Sequence, residues 1–206
     1  MLESFAIVAS GQLVGFLAKE VLGKLAKEAL EDYVKDFFKQ CITDFKDRIS
    51  NTKKKHLEKA TAEALKEFLE LVQQELEDAD LEENQLQEYN QPLEQFLKNK
   101  LVRETLGSAF DNNRKIVDTK ILANIAKDIV PDLPRNFDWQ RVARRYGKKV
   151  KNIRNNYDEL RKILDSENLA QIANQNYKIT PEFDLRKYQE GIQEQYGKLK
   201  LESLDT

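Results

Sequence analysis

The chain has 206 residues, which is enough for one large or two small domains with a proper core. Charged residues make up 34% and hydrophobic residues 40%, whereas there are only 7 Gly and 4 Pro. This mixture is typical of long, water-facing helices and argues against a β protein, which needs many more turn residues. The net charge of −2 and the pI of about 5.7 exclude a global positive field that would attract nucleic acid.

The first stretch, Met1 to Ala18, is the most unusual part of the sequence. Residues 4–18 carry no charge and are apolar nearly all round a helical wheel, so a helix here is enclosed by protein or enters a membrane. The run is shorter than the roughly 18 residues of a spanning helix and lacks the basic start of a secretory signal. We expect a core helix at rest that acts on a membrane only after assembly. The candidate membrane-active residues are Phe5, Ile7, Val8, Leu13, Val14, Phe16 and Leu17.

Apolar residues at helical spacing predict a series of helices before Pro131. Gly23 is the expected break within the first helical region, which divides it into pieces of about 3–22 and 24–49. The further helices are predicted at about 56–79, 82–89, 90–110 and 114–130, with a polar connection at 50–56 and a turn at 111–113.

Pro131 and Pro134 mark the clearest boundary in the chain, because two prolines three apart forbid helix continuation. Asp138 is expected to cap a helix of about 138–164, and shorter helices are predicted over 166–175 and 180–197. No segment shows the alternation of a strand, so the predicted fold is all-α. Its parts are a four-helix-bundle-like domain over 1–130, a Pro-containing linker over 131–137, a smaller helical unit over 138–197 and a severed linker over 198–206. Whether the smaller unit packs on the bundle or belongs to a missing module is open.

Residues for catalysis or cofactor binding are not evident. The sequence has no G-x-x-x-x-G-K-[ST] phosphate-binding loop, and the single His56 has no Cys or carboxylate pattern suited to a metal. Cys41 is alone, which excludes an internal disulfide and suits a reducing cytosol; its neighbours predict an inert core thiol. We therefore expect a cytoplasmic protein that is not an enzyme and has no cofactor or metal.

Two regions carry charge of one sign. Residues 67–94 contain many acids and no Lys or Arg, which is typical of a solvated acidic face or of a docking site for a basic partner. A basic cluster in the helix after Asp138 has no acid within it. Contact with nucleic acid, anionic lipid or an acidic protein is physically reasonable for it, and so is docking on the 67–94 region or on a missing domain. Its candidate anion-binding residues are Arg141, Arg144, Arg145, Lys148 and Lys149.

The chain resembles the N-terminal region of bacterial NACHT-type NTPases, the STAND or NLR-like proteins. The segments that carry the resemblance are Met1-Leu-Glu-Ser-Phe5, Phe137-Asp-Trp-Gln-Arg-Val-Ala-Arg-Arg-Tyr146, Glu159-Leu-Arg-Lys-Ile-Leu-Asp-Ser166, Pro181-Glu-Phe-Asp-Leu185 and Tyr196-Gly-Lys-Leu-Lys-Leu-Glu-Ser-Leu-Asp-Thr206. It implies an N-terminal effector in immune or antiphage signalling, followed by a downstream NACHT module that oligomerises and by a sensor. The NTPase activity is not transferred to these residues.

Three hypotheses follow for the effector. The first is cell death by oligomerisation-dependent membrane disruption through the apolar N-terminal helix, in a layout similar to that of plant coiled-coil receptors and fungal HeLo-type proteins. The second is a non-enzymatic adaptor or autoinhibitory domain of the same NTPase. The third, and least favoured, is a nucleic-acid-binding module that uses the basic cluster. The partners implied are the NACHT module, further copies of the chain and an anionic membrane.

Overall fold

A computed structural model describes residues 15–25, 30–42, 50–111, 117–130 and 132–179. Within these ranges, side chains are described except at residues 23–25, 30–31, 83, 168 and 170–179. The predicted helix at 180–197 and the predicted linker at 198–206 lie outside the described residues.

The described residues are mostly helical and contain no strand, which confirms the all-α fold. The α-helices are α1 (Phe16–Leu25), α2 (Leu30–Phe38), α3 (Asn51–Glu77), α4 (Glu83–Leu86), α5 (Asn90–Lys98), α6 (Lys100–Gly107), α7 (Thr119–Ile129), α8 (Trp139–Asn156) and α9 (Asp158–Ile179). Short 3-10 turns, Gln87–Tyr89 and Ser108–Phe110, follow α4 and α6.

Helix α3 is the central element of the fold, since α1, α2 and α8 all pack against it. Its apolar stripe includes Leu65, Phe68 and Leu76, all fully buried. The ring of Phe68 stacks on Phe96 of α5 at 6.3 Å and meets Tyr146 of α8 edge-on at 5.7 Å. Helices before and after Pro131 therefore contribute to one hydrophobic core.

Two predictions about the first helical region are wrong. Gly23 does not break the helix, because α1 continues through it to Leu25. The piece predicted at 24–49 ends at Phe38, where a turn follows over 39–41. Residues 26–29 and 43–49 lie outside the described part of the chain.

The polar connection predicted at 50–56 is also wrong, because Ser50 starts a helix there. Its side chain accepts a hydrogen bond from the backbone N–H of Lys53 and so caps α3, which begins at Asn51. Lysine residues are compatible with a helix as well as with a loop, and the cap from Ser50 favours the helix here. The short helix predicted at 82–89 is confirmed as α4 and its 3-10 continuation.

Three further helix bounds differ from the prediction. The helix predicted at 90–110 breaks at Asn99, whose backbone is extended and whose side chain caps α6. The helix predicted at 138–164 breaks at Tyr157, which is extended as well, so that α9 starts at Asp158 and takes in the predicted 166–175 helix. The cap at Asp138 is confirmed, and α7 starts at Thr119 under a cap from Asp118.

The chain divides into two compact units, Met1–Glu167 and Asn168–Thr206. The first unit contains α1 to α8 and the start of α9, so α8 packs on the bundle formed by the preceding helices. The second unit contains the remainder of α9, where Leu169 is exposed.

Candidate functional site

Helix α8 carries the basic cluster, and its apolar side holds it against α3. Val142, Tyr146 and Val150 on this side are at most 1% exposed. The hydroxyl of Tyr146 donates a hydrogen bond to the carbonyl oxygen of Leu106, at 3.3 Å, and complete burial raises its pKa well above the ordinary value. The helix is therefore fixed in rotation, and each basic residue has a defined direction.

One row of cations on α8 faces the acidic side of α3. Arg141 Nε donates to Glu75 Oε2 at 2.7 Å, and a second guanidinium nitrogen bonds the other oxygen of the same carboxylate. Glu75 is only 2% exposed and also accepts from the backbone N–H of Asp138, at 3.1 Å. A buried carboxylate is stable only with such partners, and the hydrogen bonds raise the pKa of Arg141 in turn.

The same row continues one and two turns further along α8. Arg145 donates to the amide oxygen of Gln74 at 2.6 Å, and Lys149 lies 2.8 Å from the carboxylate of Glu67. Three of the five predicted anion-binding residues thus have partners on α3, inside the acidic region that starts at Glu67. This part of the cluster serves to dock α8 on the bundle.

A second row on α8 points away from α3. Arg144, Lys148 and Lys151 are exposed and make no ion pair with any described residue. They are spaced by four and three residues and therefore share one face of the helix. This row is the part of the basic cluster that is available to a partner.

The second row borders an open groove of about 1080 Å³. Its other walls come from the segment after α6, the start of α7 and the first half of α9, represented by Asp111, Thr119 and Asp165. Arg154, at the far end of the groove, is engaged with Asp165, and Arg161 with Asp158. The groove therefore has mixed charge, with the free positive charge concentrated on α8.

Gly147 lies between the second row and the apolar side of α8. A methyl group added there would meet no atom within 4 Å. A glycine inside a helix costs stability relative to alanine, and packing within the described chain gives no reason for it. Sequence reasoning missed this residue, although its place within the basic cluster was a readable signal.

The apolar N-terminal stretch is described only from Gly15 onward. Phe16 is half-buried, and Leu17 is fully buried together with Ala18, Val21 and Leu22. Phe5, Ile7, Val8, Leu13 and Val14 lie outside the described residues. The end of the stretch, at Leu17 and Ala18, thus lies in the hydrophobic core.

Side chains of α3 anchor the start of α1. The backbone N–H of Leu17 donates to Gln73 Oε1 at 3.0 Å, and that of Gly15 donates to a Glu70 oxygen at 3.4 Å. Partial burial is the main cause that raises the pKa of Glu70. These bonds satisfy amide groups that a helix start leaves without an intrahelical partner.

Other chemistry is sparse in the described ranges. They contain no group of three His, Cys, Asp or Glu side chains arranged to hold a metal, and none of their helices is long and apolar enough to cross a bilayer. His56 is half-buried in α3. Cys41 is 4% exposed, and its thiol donates to the carbonyl oxygen of Gly107 at 3.7 Å.

A family model, NACHT N-terminal helical domain 2, matches residues 25–206. The chain therefore belongs to this family of helical domains, which precede a NACHT module. The matched residues are the helical region and not the NTPase module. No curated protein and no solved structure shows a significant match.

Proposed function

We propose that this helical domain is a non-enzymatic signalling module that acts by protein–protein contact when its NACHT protein is activated. The observation that supports it is the division of α8 into two basic rows. Arg141 and Lys149 hold the helix on the bundle, whereas Arg144 and Lys148 are exposed beside an open groove. A rigid helix with an unused charged face is suited to recruit a partner or to hold the NACHT module inactive.

Clustering of several copies by the NACHT module would make such contacts multivalent. Each added copy turns a weak contact into an intramolecular one, so the overall affinity rises without any new interaction. The proposed trigger is thus self-oligomerisation of the cytoplasmic protein, and the proposed response is recruitment of an effector.

A second candidate is cell death by membrane disruption through the N-terminal helix. The lack of charge from Ser4 to Ala18 favours it. Against it stands the burial of α1: exposing Leu17, Val21 and Leu22 would cost roughly 5–9 kcal/mol, at about 1.5–3 kcal/mol for each side chain. Since a whole domain is stable by only about 5–15 kcal/mol, release of α1 requires a large contribution from assembly or from lipid.

A leakage assay tests the two candidates against each other. The chain is fused to a scaffold that forces it to cluster, and release of dye from anionic vesicles is measured. We expect the vesicles to stay intact. In cells, we expect the clustered chain to produce a response that the unclustered chain does not. Dye release that is abolished by Phe16→Glu in a still folded chain would replace this proposal with the membrane mechanism.

A further inference from the structure

The exposed row on α8 is a compact line of positive charge. Arg144 and Lys151 are seven residues apart, which is about 10 Å along a helix, and Lys148 lies between them. Like charges at this spacing repel one another and destabilise the helix slightly. In contrast to Arg141 on the neighbouring row, these residues make no compensating ion pair with the described part of the chain.

A glycine lies directly beside this row. Gly147 borders the groove and the space over it is empty, whereas Ala143, four residues earlier on α8, is buried in the core. A glycine on the face of a helix lets the backbone of another helix approach closely. At Gly107 a methyl group would lie 1.6 Å from the carbonyl oxygen of Phe37, so that glycine serves packing inside the chain. Gly147 has no such internal role.

The groove is better suited to a protein helix than to nucleic acid. No aromatic side chain is among its described lining residues, so it has no surface on which a base could stack. Asp111, Asp138 and Asp165 line it as well, so the positive charge of the groove is interrupted and not continuous along its walls. A helix, in contrast, can place carboxylates opposite the cations and other side chains opposite the aspartates.

We propose that the exposed face of α8 at Gly147, with Arg144, Lys148 and Lys151, is the docking surface for an acidic amphipathic helix of a partner protein. The backbone of that helix packs over Gly147, and its carboxylates at positions i, i+4 and i+7 pair with the three cations. This inference rests on the proposed function, because it names the surface and the partner chemistry of the protein–protein contact.

The test measures the binding of labelled helical peptides to the 206-residue chain by fluorescence anisotropy. One peptide carries Glu at i, i+4 and i+7 beside a face of small apolar residues, and its matched control carries Gln at the same positions. We expect the Glu peptide to bind at least tenfold more tightly, with a Kd that rises with salt.

Three variants locate the binding. Gly147→Leu fills the space over the helix. The double variant Lys148→Glu with Lys151→Glu reverses the charge of two of the three cations. Each should weaken binding of the Glu peptide at least tenfold. The matched control is Lys100→Glu with Lys127→Glu, which changes the net charge equally at exposed positions outside the groove. It should change the Kd less than twofold. Thermal unfolding establishes that all variants remain folded, and Gly147→Ala serves as a milder change if Gly147→Leu does not fold.

Equal weakening by the control pair, or unchanged binding in both groove variants, would overturn the proposal. The proposal would also be overturned if an oligonucleotide or anionic vesicles bind the exposed row of α8 and the Glu peptide does not. In any of these cases the proposed function still stands if the clustered chain signals without dye release. Dye release by the clustered wild type would instead refute the proposed function itself.

Discussion

At the scale of single residues, two glycines occupy helices for opposite reasons. A methyl group on Gly107 would overlap the carbonyl oxygen of Phe37, whereas one on Gly147 would enter open space. Gly107 is buried where α2 and α6 cross, so its lack of a side chain sets the distance between these helices. The same residue type therefore marks an internal contact in one helix and an external opening in the other.

Gly107→Ala should destabilise the domain by at least about 2 kcal/mol, because α2 and α6 must move apart. Gly147→Ala is the matched control and should be neutral, or stabilising by up to about 1 kcal/mol, since alanine is the better helix former. The free energy of unfolding in urea measures both. A Gly147→Ala chain that is less stable than wild type by more than the error would show that the space over Gly147 is already occupied.

The ion pair between Arg141 and Glu75 should contribute more to the free energy of unfolding than the other ion pairs of α8. Arg141→Met leaves the buried carboxylate of Glu75 without its main partner and should lower the free energy of unfolding more than the loss of any other cation of α8. Lys149→Met, at the exposed pair with Glu67, should cost less than about 1 kcal/mol. Urea unfolding of the two variants decides this. Equal effects of the two substitutions would mean that other groups stabilise the carboxylate of Glu75 when Arg141 is replaced.

The composition of the basic cluster could be predicted from the sequence, but its division could not. Lys148 and Lys149 are neighbours in the chain and chemically identical, yet only Lys149 reaches an acid of α3. Their difference arises from the rotation of α8, which Tyr146 and its apolar neighbours fix by packing. A sequence pattern shows which residues share a face of a helix. It does not show which other element that face packs against.

At the scale of elements, caps decided where helices begin. The apolar spacing continues from Leu93 to Leu106, so periodicity alone predicts one helix there. Asn99 divides it, because its side chain accepts a hydrogen bond from the N–H of Leu101 at 2.9 Å and starts α6 in a new direction. Asp138 was predictable as a cap because prolines precede it, whereas Asn99 has no such marker.

Asn99→Ala should destabilise the domain by about 1 kcal/mol through loss of this cap. Asn124→Ala is the matched control, since Asn124 is exposed within α7, and it should be neutral or slightly stabilising. Thermal or urea unfolding of the pair tests the assignment. If Asn99→Ala is as harmless as Asn124→Ala, the break between α5 and α6 depends on packing and not on the cap.

At the scale of the whole molecule, buried and partly buried tyrosines connect separate parts of the bundle. Tyr89 donates to the carbonyl oxygen of Asp132 at 2.6 Å, and Tyr157 donates to the carboxylate of Glu63. Burial is the first cause that raises the pKa of both phenols, and the pKa of Tyr146 is raised by burial as well. The folded state therefore holds these groups protonated above their ordinary pKa of 10.0.

Stability should consequently fall at alkaline pH. The contribution of these tyrosines is complete below pH 10 and is lost as the pH rises further, because the unfolded chain then releases phenolic protons that the folded chain retains. Each tyrosine contributes a slope of at most about 1.4 kcal/mol per pH unit. Urea unfolding at pH 8, 9, 10 and 11 measures this, and Tyr146→Phe should have a shallower decline than wild type. An identical decline in both would assign the loss to other groups.

The prolines near residue 131 illustrate what local sequence leaves out about the molecule as a whole. Pro131 and Pro134 stop a helix, and a change in composition follows them, so the sequence favours a linker at 131–137. The helices on both sides of this segment nevertheless lie in one compact unit. Contacts between α3 and α8 join residues more than 60 positions apart, such as Glu75 and Arg141, and no local pattern encodes them.

In the proposed function, α1 remains a core helix while the domain signals through protein contact. Amide hydrogen exchange of residues 16–25 tests it most directly, compared between the free chain and the chain forced to cluster in the presence of anionic vesicles. We expect the same slow exchange in both states, because Leu17, Val21 and Leu22 stay buried against the bundle. Loss of protection in these residues on clustering with vesicles would contradict it and would establish release of the N-terminal helix.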